Sequence, residues 1–203
     1  MEIKKLDKKS LDAGALVERR LKETAATLER LANDKQARQT IIKIAEAVIE
    51  ALRQGRRVFL CGNGGSAADA QHFAAELVGG YTNHNRPPVD VQALTTNTSC
   101  LTAIGNDYEY SIVFSRQVEA HAGKGDVVIG ISTSGNSVNV LKAMEAAKRR
   151  GALAVGMTGM GGARLAKEAD LVFCAPSDVT PRIQEAHIAA IHTICELVEE
   201  ALF

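Results

Sequence analysis

"FLCGNGGSAADAQHFAAEL", residues 59–77, carries three signals in one stretch. A short apolar run ends at Cys61, a glycine-rich turn follows, and a helical pattern then carries His72 and Glu76. Strand, glycine turn and helix in that order form the opening unit of a parallel α/β sheet. The turn suits a phosphate, because backbone N–H groups and the positive end of a helix meet there. His72 and Glu76 are four residues apart and share one helix face.

Outward from this stretch the alternation continues. Candidate strands are "RVFLC" (57–61), "VDVQAL" (89–94), "DVVIGIS" (126–132), "LAVGMT" (153–158) and "LVFCA" (171–175). Helical patterns fall at 66–79, 98–105, 110–121, 137–150 and 163–169, and a last one runs from Arg182 to Leu202. The expected fold is α/β, a doubly wound five-stranded parallel sheet. Two further helical patterns precede it. One places Leu16, Leu21, Ala25, Leu28 and Leu31 on a stripe, the other Ile41, Ile44, Ala45, Val48 and Leu52, with Gly55 as a C-terminal stop. The expected division is a helical arm over 1–55, part of the same domain, and a sheet-bearing region over 56–203. The two stripes pack either on their own domain or on another subunit.

Composition narrows the class. The chain has 203 residues, 46 % apolar and only 4 % aromatic, so its core is aliphatic. Twenty-four basic residues balance 24 acidic ones, which removes the electrostatic case for nonspecific nucleic-acid binding. No apolar run approaches membrane-span length. "MEIKKLDKKSLDAG" lacks the apolar centre of a secretory signal. The four cysteines (Cys61, Cys100, Cys174, Cys195) show no CxxC spacing and read as free, mostly buried thiols in a reducing cytoplasm.

In a doubly wound sheet the ligand sits beyond the carboxyl ends of the strands. Two loops stand at such positions. "GNGGSA" fits the loose dinucleotide pattern through Gly62, Gly64 and Ala67, but the second strand ends "ALTTN" without the acid that would hold a ribose. Asp90 lies at that strand's other end, and no GK[ST] follows the turn. "ISTSGNS" (131–137) offers Ser132, Thr133, Ser134 and Ser137 around a glycine at a helix entry. One of these serines could simply cap the helix. Four hydroxyls together favour a phosphate monoester on a small sugar.

These stretches, with "AIGNDYEYSIVFSRQV" and "RIQEAHIAAIH", resemble a sugar isomerase (SIS) domain, and within that superfamily the phosphoheptose isomerases. The resemblance spans nearly the whole chain. It implies interconversion of sedoheptulose 7-phosphate and D-glycero-D-manno-heptose 7-phosphate, the supply step for heptose in lipopolysaccharide or other glycans. It further implies a substrate-binding turn at Asn63, Gly64, Gly65 and Ser66, and an Asn106–Asp107 pair. A phosphate loop falls on Ser132, Thr133, Ser134 and Ser137. It assigns His72, Glu76, Gln184 and His192 to one zinc ion per subunit, Glu76 also as base and His192 as acid, with Gln184 touching substrate as well. Many relatives carry Asp where this chain has Pro181. A homotetramer with active sites at subunit interfaces is expected.

Aldose–ketose isomerisation moves a proton between adjacent carbons through an enediol. It needs a base, help for the developing oxyanion, and a hold on the far end of the substrate. Taken alone, an i,i+4 His/Glu pair on a helix is more often a solvated ion pair than a metal site. Gln184 and His192 lie eight residues apart, about 12 Å along one helix, and spacing alone would pair Gln184 with His187. Either the helix begins irregularly or a ligand comes from a neighbouring subunit. The competing class is a noncatalytic SIS protein that binds a phosphosugar or a protein, as do the proteins that assist replication initiation by binding DnaA. Retention of Glu76 with His72, Gln184 and His192 favours the enzyme.

Overall fold

The structure, a computed structural model, describes residues 12–203; the first eleven residues of the expected arm lie outside the described residues. Helices α1 (Ala13–Asn33) and α2 (Lys35–Arg53) come first. A single residue joins them. The Asp34 N–H closes α1 on the Arg30 carbonyl, 3.0 Å away, while its carboxylate accepts from Gln36 N and Ala37 N at 2.8 and 3.0 Å and caps α2.

The remaining order is β1 (Val58–Gly62), α3 (Gly65–Gly79), β2 (Val91–Ala93), α4 (Thr98–Asp107), a 3₁₀ turn (Tyr110–Ile112), α5 (Val113–His121) and β3 (Val127–Ile131). Then follow α6 (Val138–Arg149), β4 (Leu153–Thr158), α7 (Leu165–Glu168), β5 (Leu171–Cys174) and α8 (Thr180–Leu202). The sheet is five-stranded and parallel throughout, in the order β2-β1-β3-β4-β5. Its two faces follow strand alternation. Val58, Leu60, Ile129 and Phe173 pack against α2, α3 and α8. Phe59, Cys61, Val128 and Ala154 pack under α5 and α6.

The expected fold class holds, and several boundaries move. The second strand shortens to three residues because it is the sheet edge, paired with β1 alone. The 110–121 pattern splits into a 3₁₀ turn and α5. The 163–169 pattern shrinks to one turn, preceded by Gly161 and Gly162 at positive φ. The last helix starts two residues early, with Pro181 in its first turn, where a missing N–H costs nothing.

The two leading stripes part company. Ile41, Ile44, Ala45 and Val48 of α2 are buried in the core. In α1 only Thr27 and Leu31 are buried, and Leu21 is 66 % exposed. All four cysteines are free thiols: Cys61 and Cys195 are buried, whereas Cys100 and Cys174 are partly exposed.

Candidate active site

The chain leaves β1 toward β2 on one side and returns to β3 on the other, so the crevice opens at the carboxyl ends of β1 and β3. Gly62 and Ile131 are partners across that pair, which sets the glycine turn beside the hydroxyl loop. Two amides tie the loops together: Asn63 Nδ2 donates to Asn139 Oδ1 at 2.9 Å, and Asn139 Nδ2 returns to Asn63 Oδ1 at 2.8 Å. Asn139 is buried and was not foreseen. Its only trace in the sequence is an amide early in the helix that follows "STSGNS". Ser66, expected at the substrate, is buried in the first turn of α3, with its N–H on the Asn63 carbonyl at 3.0 Å.

Ser132 Oγ donates to Ser137 Oγ at 2.9 Å and lies 3.5 Å from Ser134 Oγ. Ser137 stands at the N-cap of α6 yet makes no capping bond. The simple capping role therefore does not describe it, and its hydroxyl belongs to the serine cluster. Thr133 is half-buried, and its carbonyl accepts from Gly159 N at 3.1 Å. Gly135 makes the turn possible. Its φ is 63°, and a Cβ there would lie 2.7 Å from the Gly162 carbonyl oxygen.

Helices α3 and α8 bring the titratable groups together. His72 Nε2 lies 2.8 Å from His192 Nε2 and 3.6 Å from Glu76 Oε1. The two rings meet edge to face at 5.1 Å between centroids. His187 does not join them. It is fully buried, with Nε2 donating to the Thr158 carbonyl at 3.1 Å, and burial pushes its pKa down to about 4 against that hydrogen bond. Gln184 stands elsewhere too: a Cβ on Gly65 would lie 2.8 Å from its Cδ. It thus covers the glycine turn, about 10 Å along α3 from His72. Because α8 is regular from Thr180, the irregular-start explanation of the Gln184–His192 spacing falls. Asn106 and Asp107 are exposed at the end of α4 and bond each other at 2.8 Å.

Asp69 is a further group that the sequence did not single out. One of its carboxylate oxygens is buried with no partner, and burial raises its pKa to about 6 against the opposing charge of His72. The visible signal was an acid three residues before a histidine on one helix.

Two imidazoles and a carboxylate are donors that zinc accepts, with Zn–N near 2.0–2.1 Å. The 2.8 Å imidazole contact is somewhat shorter than the edge of such a tetrahedron, so seating an ion there would need a small opening of the pair. Among the described residues no group of three or more His, Cys, Asp and Glu side chains is arranged to hold a metal. The set within one chain is partial, and Gln184 does not complete it.

Comparison with known proteins places the chain first in a class. The SIS domain family matches residues 21–159. The phosphoheptose isomerase of Rhodospirillum rubrum is 56 % identical over 162 residues, 80 % of this chain and 86 % of that protein. That of Aneurinibacillus thermoaerophilus is 50 % identical over 175 residues, covering 86 % and 88 %. The solved phosphoheptose isomerase of Neisseria gonorrhoeae superposes with a TM-score of 0.86 at 39 % identity, over 92 % of this chain and 98 % of that one. The chain belongs to the phosphoheptose isomerase family.

Proposed function

We infer that the protein interconverts sedoheptulose 7-phosphate and D-glycero-D-manno-heptose 7-phosphate through an enediol. The observation that carries this is the meeting of His72, Glu76 and His192 on α3 and α8, in a chain whose crevice also presents a serine cluster. Ser132, Ser134 and Ser137 hold the phosphate, helped by the N-terminal end of α6. Asn63, Gly64 and Gly65 line the sugar, and Gln184 closes over that turn. Glu76 takes the carbon-bound proton, and His192 returns a proton to oxygen. Thr133, Asn106 and Asp107 complete the substrate contacts.

We further propose that the enzyme is metal-dependent, with His72, Glu76 and His192 holding zinc. When bound, zinc would polarise the sugar's carbonyl and hydroxyl oxygens. In this reading a homotetramer completes each site at an interface, with a further ligand contributed by a neighbouring copy. An apolar groove of about 480 Å³ along α1, α2 and α8, including Leu28, Ile42 and Leu197, supports assembly, as does the exposed Leu21. Four free thiols support a cytoplasmic setting, and no helix among the described residues is long and apolar enough to cross a membrane.

The test is incubation with sedoheptulose 7-phosphate, with and without chelator, following aldose formation. Turnover that chelation abolishes and zinc restores is expected. Fully metallated protein that binds the sugar without turning it over would favour the noncatalytic SIS reading.

A further inference from the structure

The loop between α3 and β2 is held by an unusually complete polar anchor. Glu199, on α8, is buried. One of its oxygens accepts from Thr82 N and Asn83 N, each at 2.7 Å, and from Thr82 Oγ1 at 2.6 Å. The other accepts from Tyr81 N at 2.9 Å and Arg86 Nε at 2.7 Å. Burial alone would raise this carboxyl's pKa, but the bonds from Thr82, Arg86 and the loop N–H groups outweigh it and hold the pKa far below the usual range. Arg86 in turn donates through Nη2 to the carbonyls of Glu76 and Leu77, at 3.1 and 2.6 Å. The same guanidinium therefore fixes the last turn of α3, which carries Glu76, and the loop that carries Tyr81.

Tyr81 is where this anchor reaches the chemistry. Its ring lies 5.7 Å from the imidazole of His192, tilted by 35°. His192 thus has His72 on one side and Tyr81 on another. Tyr81 makes no side-chain hydrogen bond to His192, so it acts on that ring by contact.

We propose that Tyr81 is a positioning residue for His192, its ring holding the imidazole against His72 and Glu76, and that the buried Arg86–Glu199 pair sets the loop that presents it. This rests on the assignment of Glu76 and His192 as the reacting pair. The aromatic face, not the phenol oxygen, does the positioning. Displacing a catalytic group by about 1 Å can cost on the order of a hundredfold in rate without changing how substrate is held.

The test compares Tyr81→Leu, Tyr81→Phe and Arg86→Lys with Glu76→Gln, measuring kcat, KM and melting temperature. Tyr81→Leu is expected to lower kcat by about tenfold or more with KM within about twofold, and Tyr81→Phe to restore kcat to within about twofold. Arg86→Lys, which keeps the charge but not the fork that spans α3 and Glu199, is expected to lower kcat in the same direction. Should Tyr81→Leu fail to fold, Arg86→Lys and Tyr81→Phe decide. Unchanged kcat in a folded Tyr81→Leu or Arg86→Lys protein overturns the inference, as does an equal loss in Tyr81→Phe. A melting temperature that falls while kcat, measured well below it, stays normal also overturns it. Near-normal turnover in Glu76→Gln would instead overturn the assignment of the reacting pair.

Discussion

The hydroxyl loop and the imidazole pair, which the proposed function joins in one site, are built in different ways. Ser132, Ser134 and Ser137 lie within six consecutive residues and are shaped by one turn at Gly135. His72 and His192 are 120 residues apart and meet only because α3 packs beside α8. A local device is specified by turn chemistry; a long-range one depends on the phase and depth at which two helices settle. The first should therefore fail one hydroxyl at a time, and the second should fail through changes made at some distance from it.

The largest effect should come from the long-range end. Glu76→Gln is expected to lower kcat by about a thousandfold while leaving the fold and phosphate hold intact, because it removes proton transfer and keeps the side chain's shape. Steady-state kinetics with a binding measurement check this, and a variant that turns over normally would erase the distinction between the two ends.

Next comes the anchor behind that end. The Arg86 and Glu199 side chains are only 2 % and 5 % exposed, and removing one partner of such a pair costs about 3 kcal/mol. Glu199→Gln should therefore unfold more easily at pH 7. The pH dependence has a definite sign. A carboxyl with a depressed folded pKa contributes stability above its unfolded pKa, about 4.3, and loses it progressively as pH falls. The gap between wild type and Glu199→Gln should be full above pH ~5.5 and narrow below pH ~4 in denaturant titrations. A gap that widens on acidification would contradict the role given to Glu199.

At the local end, Ser134→Ala should raise KM for the phosphosugar by about tenfold with kcat nearly unchanged, the cost of one hydrogen bond to a charged group. A loss carried mainly in kcat would mean that the loop does more than hold phosphate.

The smallest signal concerns subunits. Since His72, Glu76 and His192 meet within one chain, mixed oligomers of Glu76→Gln with His192→Ala subunits should stay as inactive as each parent. Mixtures of Gln184→Ala with His192→Ala should regain part of the activity if the amide crosses an interface. Complementation after co-refolding, with mixed oligomers verified, separates the two. Recovery in the first mixture would instead place Glu76 and His192 of a working site on different chains.

Much of this architecture was legible in order. Every strand overlapped a run chosen by its apolar residues, β1 passing its run by one residue to Gly62, and the glycine turn and hydroxyl loop fell at the crevice because a doubly wound sheet puts strand ends there. The i,i+4 spacing placed His72 and Glu76 on one face. Less was legible where position depends on what lies alongside. The stripes of α1 and α2 look alike in sequence, yet Ile44 and Val48 are fully buried while Leu21 is exposed. Asn139 as the partner of Asn63 had no local signal, and neither did Glu199, which ends a helix in "LVEEAL" like any solvated acid.

Residue order alone determined the strand and helix sequence and the turn chemistry, because hydrogen-bond periodicity and apolar spacing are local properties of the chain; the roles given to single residues came from the family resemblance. Spacing left His187 and His192 open, the resemblance implied His192, and the tertiary structure gives the physical reason they differ. Five residues turn a helix by about 140°, so His187 points to Thr158 and the core while His192 meets α3. It also decided that Gln184 covers Gly65, and that Glu199 is a buried anchor rather than a surface charge. These outcomes depend on the rotation of α8 in the packed domain, and that rotation is fixed by its fit to the sheet and to α3.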